Sequence, residues 1–199
     1  METIKAFIAN TAVRWFKNLG VFGRQRFWVL YWAYRLTGWH IRAKEWDFVL
    51  EYLSPLMKGQ QVKILDVGCA RNLFCFEVVG RGYNLQGLDL ELPVKYFPAL
   101  CFRADIRQVH FVKIFNFITC ISVLEHIKTG KENALRNMIN ALIVGGRLLL
   151  TIPTKEFAQC HPWGGFTCKS LEALLPKNCV ILQYTERAGQ ICCAVERTE

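Results

Sequence analysis

The stretch KILDVGCARNLFCFEV, residues 63–78, constrains the chain more than any other. An apolar run broken by one acid ends in a glycine, and apolar residues at helical spacing follow, which reads as strand, tight turn and helix. The rhythm then repeats. NLQGLDL (84–90), CFRADI (101–106), FNFITCISV (115–123) and GGRLLLTIP (145–153) read as strands, with helices expected near 72–80, 131–143 and 168–175. Apolar strands alternating with helices predict an α/β fold, a three-layer sandwich whose mostly parallel sheet is covered on both faces. Two last strands, CVILQYTE (179–186) and QICCAVE (190–196), are joined by Ala188-Gly189, so the sheet is expected to end in an antiparallel pair.

Residues 1–58 follow a different pattern and read as an N-terminal helical extension, with the sheet domain assigned to 59–199. Helices are expected over 4–19, 24–38 and 43–56, broken at Gly20, Gly23, Gly38 and Pro55. This segment holds nine Lys/Arg against four Asp/Glu, more than half of the chain's net charge of +9. Such a front favours an anionic partner or a solvated basic surface. Trp28, Tyr31, Trp32 and Trp39 lie among Arg24, Arg26, Arg35 and Arg42. Aromatics at this spacing read first as core packing, then as contact with a membrane surface, and third as a nucleic-acid groove.

Met1–Asn10 lacks the long apolar stretch of a secretory leader. FWVLYWAY (27–34) is far shorter than the roughly twenty residues a bilayer span needs. The nine cysteines show no paired C-x-x-C spacing, so free thiols in a reducing cytosol are expected. No metal site is assigned: Cys160, His161 and Cys168 lack a fourth ligand at suitable spacing. The expected location is cytoplasmic, with the N-terminal helices a candidate for contact with the inner face of the membrane.

In an open α/β sheet a ligand binds beyond the carboxyl ends of the strands. Asp66 and Gly68 close the first strand, and Asp89, 21 residues after Gly68, closes the second. Asp105 and Ile106 close the third, and Ile121 and Ser122 the fourth. A carboxylate about 20 residues past the glycine turn suits ribose hydroxyls and repels a 2′-phosphate. A pyrophosphate needs glycines at G-x-G-x-x-G, but this chain reads Gly-Cys-Ala-Arg-Asn-Leu from Gly68. A nicotinamide dinucleotide therefore fits poorly, and a nucleoside with a short amino-acid tail fits better.

LDVGCA, GLDL, ADIRQVHF, CISVLEHI and GGRLLLTIP fall in the order and spacing of S-adenosylmethionine-dependent methyltransferases with the Rossmann-like seven-stranded fold. The resemblance covers about 62–197. It implies S-adenosylmethionine as cofactor, with Asp66, Gly68, Cys69 and Ala70 around its methionine part. It further implies Asp89 on the ribose hydroxyls, Leu90 beside the adenine, Asp105 at the adenine amino group and Ile106 on the ring. Ile121 and Ser122 would line the path to the methyl group. Ala70 and Asn72 depart from the family, which more often has glycine there; Asn72 tolerates a left-handed turn.

Methyl transfer needs alignment and, for a hydroxyl acceptor, removal of a proton. His126, with Glu125 beside it, is the candidate base, and a structural role for the pair stands equally open. His161 is the second candidate base; its loop, with Trp163 and Phe166, is expected over the acceptor, first as a lid without a catalytic histidine. The motifs of amine-directed base methyltransferases, cytosine C5 enzymes and arginine methyltransferases are missing. A small molecule, glycan or lipid-linked acceptor, methylated at oxygen, is expected first. An RNA methyltransferase or a non-catalytic binding module of the same fold is the alternative.

Overall fold

The computed structural model describes residues 41–55, 62–69, 74–91, 101–160 and 164–199. The helices expected over 4–19 and 24–38, and the candidate residues Ala70, Asn72, His161 and Trp163, lie outside them. Seven strands form one sheet: β1 (Lys63–Val67), β2 (Asn84–Asp89), β3 (Cys101–Arg103), β4 (Phe115–Ile121), β5 (Leu142–Pro153), β6 (Cys179–Arg187) and β7 (Gln190–Arg197). Their order is β3-β2-β1-β4-β5-β7-β6. The first five pair in parallel, and β7 runs antiparallel to both β5 and β6. This is the expected architecture. Ala188 and Gly189, at φ of 51° and 76°, make the final hairpin turn.

The chain leaves β3 at one edge and returns on the far side of β1 as β4, so the strand order reverses between β1 and β4. Ligands of open α/β sheets bind at such a point. Both faces of the sheet are covered. Helix α1 (Ile41–Leu53) and α2 (Phe74–Gly80) share one core with Ile64, Leu85, Phe117, Leu149 and Ala194. Helix α3 (Lys131–Ala141) and α4 (Cys168–Glu172) share the other with Leu65, Ile118, Leu148 and Val195.

In α1, Trp46, Val49, Leu50 and Leu53 recur at helical spacing and are buried, which is why this segment docks as a helix. Full burial of a side chain such as Phe48 or Leu53 contributes roughly 1.5–3 kcal/mol. The helix stops before Pro55, whose ring disfavours helical backbone at the preceding residue. Polar ties fix its register on the sheet. Tyr52 donates to Gln183 Oε1 at 2.5 Å, and Arg187 donates to both carboxylate oxygens of Glu51 at 2.9 and 3.0 Å.

Two strands end earlier than the sequence suggests. The third stops at Arg103, because the Asp105 carboxylate accepts the backbone N–H of Arg107 and turns the chain. The fourth stops at Ile121, because Ser122 adopts a left-handed φ of 49°. The fifth starts at Leu142, where an extended backbone ends α3.

Candidate active site

Gly68 ends β1 at a φ of +80°, a conformation that favours glycine. A Cβ there would lie 2.1 Å from Val123 Cγ2, so the segment after β4 is pressed onto this turn. The backbone N–H groups of Gly68 and Cys69 both donate to Leu88 O, at 2.7 and 3.3 Å. They are committed to the end of β2, which is the opposite of a phosphate cradle, whose N–H groups face the ligand. The turn therefore suits a nucleoside thioether or sulfonium, neither of which carries a phosphate, better than a pyrophosphate.

Asp66 lies beneath this turn, fully buried. Thr119 donates its hydroxyl to Oδ1 at 2.6 Å, and the Cys75 thiol donates to Oδ2 at 3.0 Å. One carboxylate thus ties β1 to β4 and α2 and supports the loop from below. Asp89 ends β2, and its Oδ1 accepts the N–H of Glu91 at 3.0 Å. Leu90 beside it is 54% exposed, which leaves an apolar surface next to the carboxylate.

Asp105 is gripped by Arg107. Its oxygens accept from Nε at 2.9 and 3.0 Å and from Nη2 at 2.6 Å, besides the backbone N–H. This hydrogen bonding holds the Asp105 carboxyl below the ordinary range. Ile106 is buried against the α3 core, and its carbonyl accepts from Asn137 Nδ2 at 2.9 Å. Three thiols gather where Gly87 has no side chain. A Cβ at Gly87 would lie 2.5 Å from Cys69 Sγ and 2.6 Å from Cys101 Sγ. Side-chain contact with Cys75 lowers Cys101 to about 7, while Cys75 itself is pushed well above the thiol range.

Ser122 meets a residue the motifs do not reveal. Glu45, on α1, is fully buried. Its Oε1 accepts the hydroxyls of Ser122, in a short hydrogen bond, and of Thr151 at 2.8 Å. The Ser122 N–H in turn donates to Thr151 O at 2.9 Å. Left-handed backbone at a non-glycine residue is costly and often marks a functional site, and here Glu45 from α1 and Thr151 from β5 hold Ser122 in it. The one signal for Glu45 in the sequence is its phase: it falls on the apolar stripe of α1. Arg107, two residues past Asp105, and Thr119, facing Asp66 across the β1–β4 pair, were likewise missed.

Past Ser122 the chain forms a short 3₁₀ turn, η1 (Leu124–His126). Glu125 is buried there and His126 is exposed. Phe166 closes the far side of the loop after β5. It is buried, exchanges backbone bonds with Pro153 and Lys155 at 3.0 Å, and carries Lys131 Nζ 5.7 Å from its ring centroid. Eight described cysteines are free, and among the described residues no group of three or more His, Cys, Asp or Glu side chains is arranged to hold a metal ion.

The sheet order, the reversal at β1/β4 and the acid-and-glycine strand ends define a class I S-adenosylmethionine-dependent methyltransferase. The residues present are compatible with that cofactor: the Gly68–Cys69 turn, Asp89 and Ile121–Ser122 stand together at the carboxyl ends of β1, β2 and β4, where open α/β sheets bind their ligands. A model of the methyltransferase domain family matches residues 38–197, and the chain belongs to that family.

Among curated relatives, the chain is 31% identical over 135 residues to the tRNA U34 carboxymethyltransferase of Glaesserella parasuis, covering 59% of this chain and 41% of the relative. The same enzyme of Mannheimia succiniciproducens is 25% identical over 177 residues, 78% of this chain and 54% of the relative. The chain thus spans about half or less of these relatives' length. The N-methyltransferase NodS from Bradyrhizobium japonicum superposes with a TM-score of 0.63 at 18% identity, over 79% of this chain and 96% of that one. A methyltransferase from Clostridium acetobutylicum gives 0.65 at 15%, over 80% and 95%.

Proposed function

We propose that this methyltransferase acts on RNA, at an oxygen of a tRNA nucleoside. The observation that carries the reading is the 31% identity over 135 residues to tRNA U34 carboxymethyltransferases. The charge of +9 agrees with a polyanionic acceptor, because lysines and arginines that neutralise phosphates release counterions. The small-molecule, glycan or lipid-linked acceptor, expected first from the sequence, becomes the second reading. It is kept because the match spans only 41% of the relative, which leaves most of that protein unshared.

His126 is the proposed proton acceptor, with Glu125 holding η1 in place behind it. Removing a general base costs typically 10²–10⁴-fold in rate, and His126→Ala tests the assignment. The acceptor class is tested by incubating the protein with methyl-labelled S-adenosylmethionine and a lysate. RNA, lipid, glycan, small-molecule and protein fractions are then counted, and the RNA is digested to nucleosides. Label in tRNA nucleosides supports the proposal, and label confined to another fraction overturns it. Binding that weakens steeply as salt rises is a second expected result for an RNA acceptor.

A further inference from the structure

Three thiols from separate parts of the fold converge over Gly87. Cys69 stands in the turn after β1, Cys75 on α2, and Cys101 on β3, opposite Gly87 in the β2–β3 pair. None of them is in a disulfide. The point that a Gly87 Cβ would occupy lies 2.5 Å from Cys69 Sγ and 2.6 Å from Cys101 Sγ, so these two sulfurs are no more than about 5 Å apart. The Cys75 side chain is in contact with both. The cluster depends on glycine at residue 87, because a side chain there would fill the space the sulfurs share.

The three differ in access and in what they hold. Cys69 and Cys75 are buried, whereas Cys101 is partly exposed, on a three-residue edge strand that pairs with β2 alone. Contact with Cys75 holds Cys101 at about 7, so at neutral pH a dissolved oxidant meets a sizeable fraction of thiolate. The Cys75 thiol meanwhile donates to Asp66 Oδ2 at 3.0 Å, the carboxylate beneath the Gly68–Cys69 turn. The cluster is not arranged to hold a metal ion. A partly exposed thiolate in contact with a second thiol is instead the arrangement that a peroxide converts to a disulfide.

We propose that Cys101 and Cys75 form an oxidative modification site, at which hydrogen peroxide closes a disulfide that weakens cofactor binding. The Cys101 thiolate attacks one peroxide oxygen: the S–O bond forms, the O–O bond breaks, and the leaving hydroxide takes a proton from solvent to become water. Cys75 Sγ then attacks the Cys101 sulfenic sulfur: the S–S bond forms, the S–O bond breaks, and the Cys75 proton leaves with the hydroxide as a second water. Two thiols are oxidised and one peroxide is reduced. The new bond takes the Cys75 hydrogen away from Asp66 and ties α2 to β3, which weakens the support under the Gly68–Cys69 turn. The inference rests on the chain binding S-adenosylmethionine, and it holds whatever the acceptor is.

The test uses the full chain, first reduced and then treated with hydrogen peroxide. Peptide mapping by mass, without reductant, is expected to find Cys75 joined to Cys101. Calorimetry is expected to show S-adenosylhomocysteine binding about tenfold more weakly to the oxidised protein, the order of one hydrogen bond to a charged group. Dithiothreitol should restore the affinity. Cys101→Ser removes the attacking thiolate, so its affinity should match reduced wild type and stay there through peroxide treatment. Cys168→Ser removes another partly exposed thiol and should respond to peroxide as wild type does. Mapping and calorimetry on wild type decide the matter even where a variant does not fold.

A disulfide to Cys69 in place of Cys75 overturns the proposal, as does Cys101 carried on to the sulfinic acid with no disulfide. A Cys75–Cys101 disulfide that leaves the affinity unchanged overturns it too. So does an equal loss of affinity in peroxide-treated Cys101→Ser, which would place the damage at another residue. A chain that shows the switch while no label reaches RNA would sink the tRNA reading alone. Reduced protein that binds no S-adenosylhomocysteine would remove the cofactor assignment, and this inference with it.

Discussion

Gly68 and Val123 are packed so closely that the glycine hydrogen occupies the only space a side chain would need. A Cβ at residue 68 would stand 2.1 Å from Val123 Cγ2, on a backbone held at a φ of +80°. Gly68→Ala therefore meets two separate penalties, the collision and the left-handed strain, and should cost about 2–4 kcal/mol. Adding Val123→Ala removes the methyl clash but leaves the Cβ of residue 123 at 3.1 Å and the strain untouched, so the double variant should recover part of the loss and remain about 1–2 kcal/mol below Val123→Ala alone. Urea denaturation of the four proteins checks this. Equal stability for Gly68→Ala with and without Val123→Ala would show that contact at this turn is not limiting.

Asp66 is a carboxylate with no exposure whose oxygens are claimed by Thr119 and Cys75. Hydrogen bonds to a charged group contribute about 1.5–3 kcal/mol each. Thr119→Val keeps the volume and should cost that amount, whereas Thr119→Ser keeps the hydroxyl and should cost less than about 1 kcal/mol. Because the same carboxylate supports the Gly68 turn, affinity for S-adenosylhomocysteine should follow stability in this pair. Thermal melts and calorimetry read both. Equal melting temperatures for the two variants would remove Asp66 from this role.

How much of this was legible beforehand depended on how local the cause was. KILDVG and the Ala188-Gly189 turn are determined within a few residues, so the strand, the turn and the antiparallel hairpin could be read directly. The alternation of strands with helices likewise gave the sheet. Glu45 could not be assigned, because its partners Ser122 and Thr151 are 77 and 106 residues away and only the fold brings them together. The ends of the third and fourth strands were misplaced for a related reason. Apolar periodicity continues through Ile106 and Val123, while the backbone is turned by the Asp105 side chain and by the strain at Ser122.

The Asp105–Arg107 pair gives the chain an acid-sensitive contact. Hydrogen bonds from Arg107 lower the Asp105 pKa in the folded state below its unfolded value. A depressed carboxylate contributes stability above the unfolded pKa, about 3.9, and that stability is lost as pH falls through the folded value. Arg107→Ala should thus lower the melting temperature at pH 6 and change it progressively less as pH drops below about 4. Melts between pH 7 and pH 2.5 test the sign. A difference from wild type that stays constant across this range would mean that the pair is not the source.

Cys101 should be the most reactive thiol among the described residues. Contact with the Cys75 side chain brings it down to about 7, while burial pushes Cys192 and Cys193 up to about 12 and Cys120 higher still. The thiolate is the nucleophile, so brief treatment with iodoacetamide at pH 7.5 should label Cys101 and leave those three unmodified. The labelling rate should rise through about pH 7 and level off above it. Cys75→Ala removes the neighbouring thiol whose contact favours the thiolate and should shift that inflection upward, towards the ordinary value near 8.5. Peptide mapping by mass across a pH series reads both effects. An inflection that stays in place in Cys75→Ala would show that the thiol contact does not set the reactivity of Cys101.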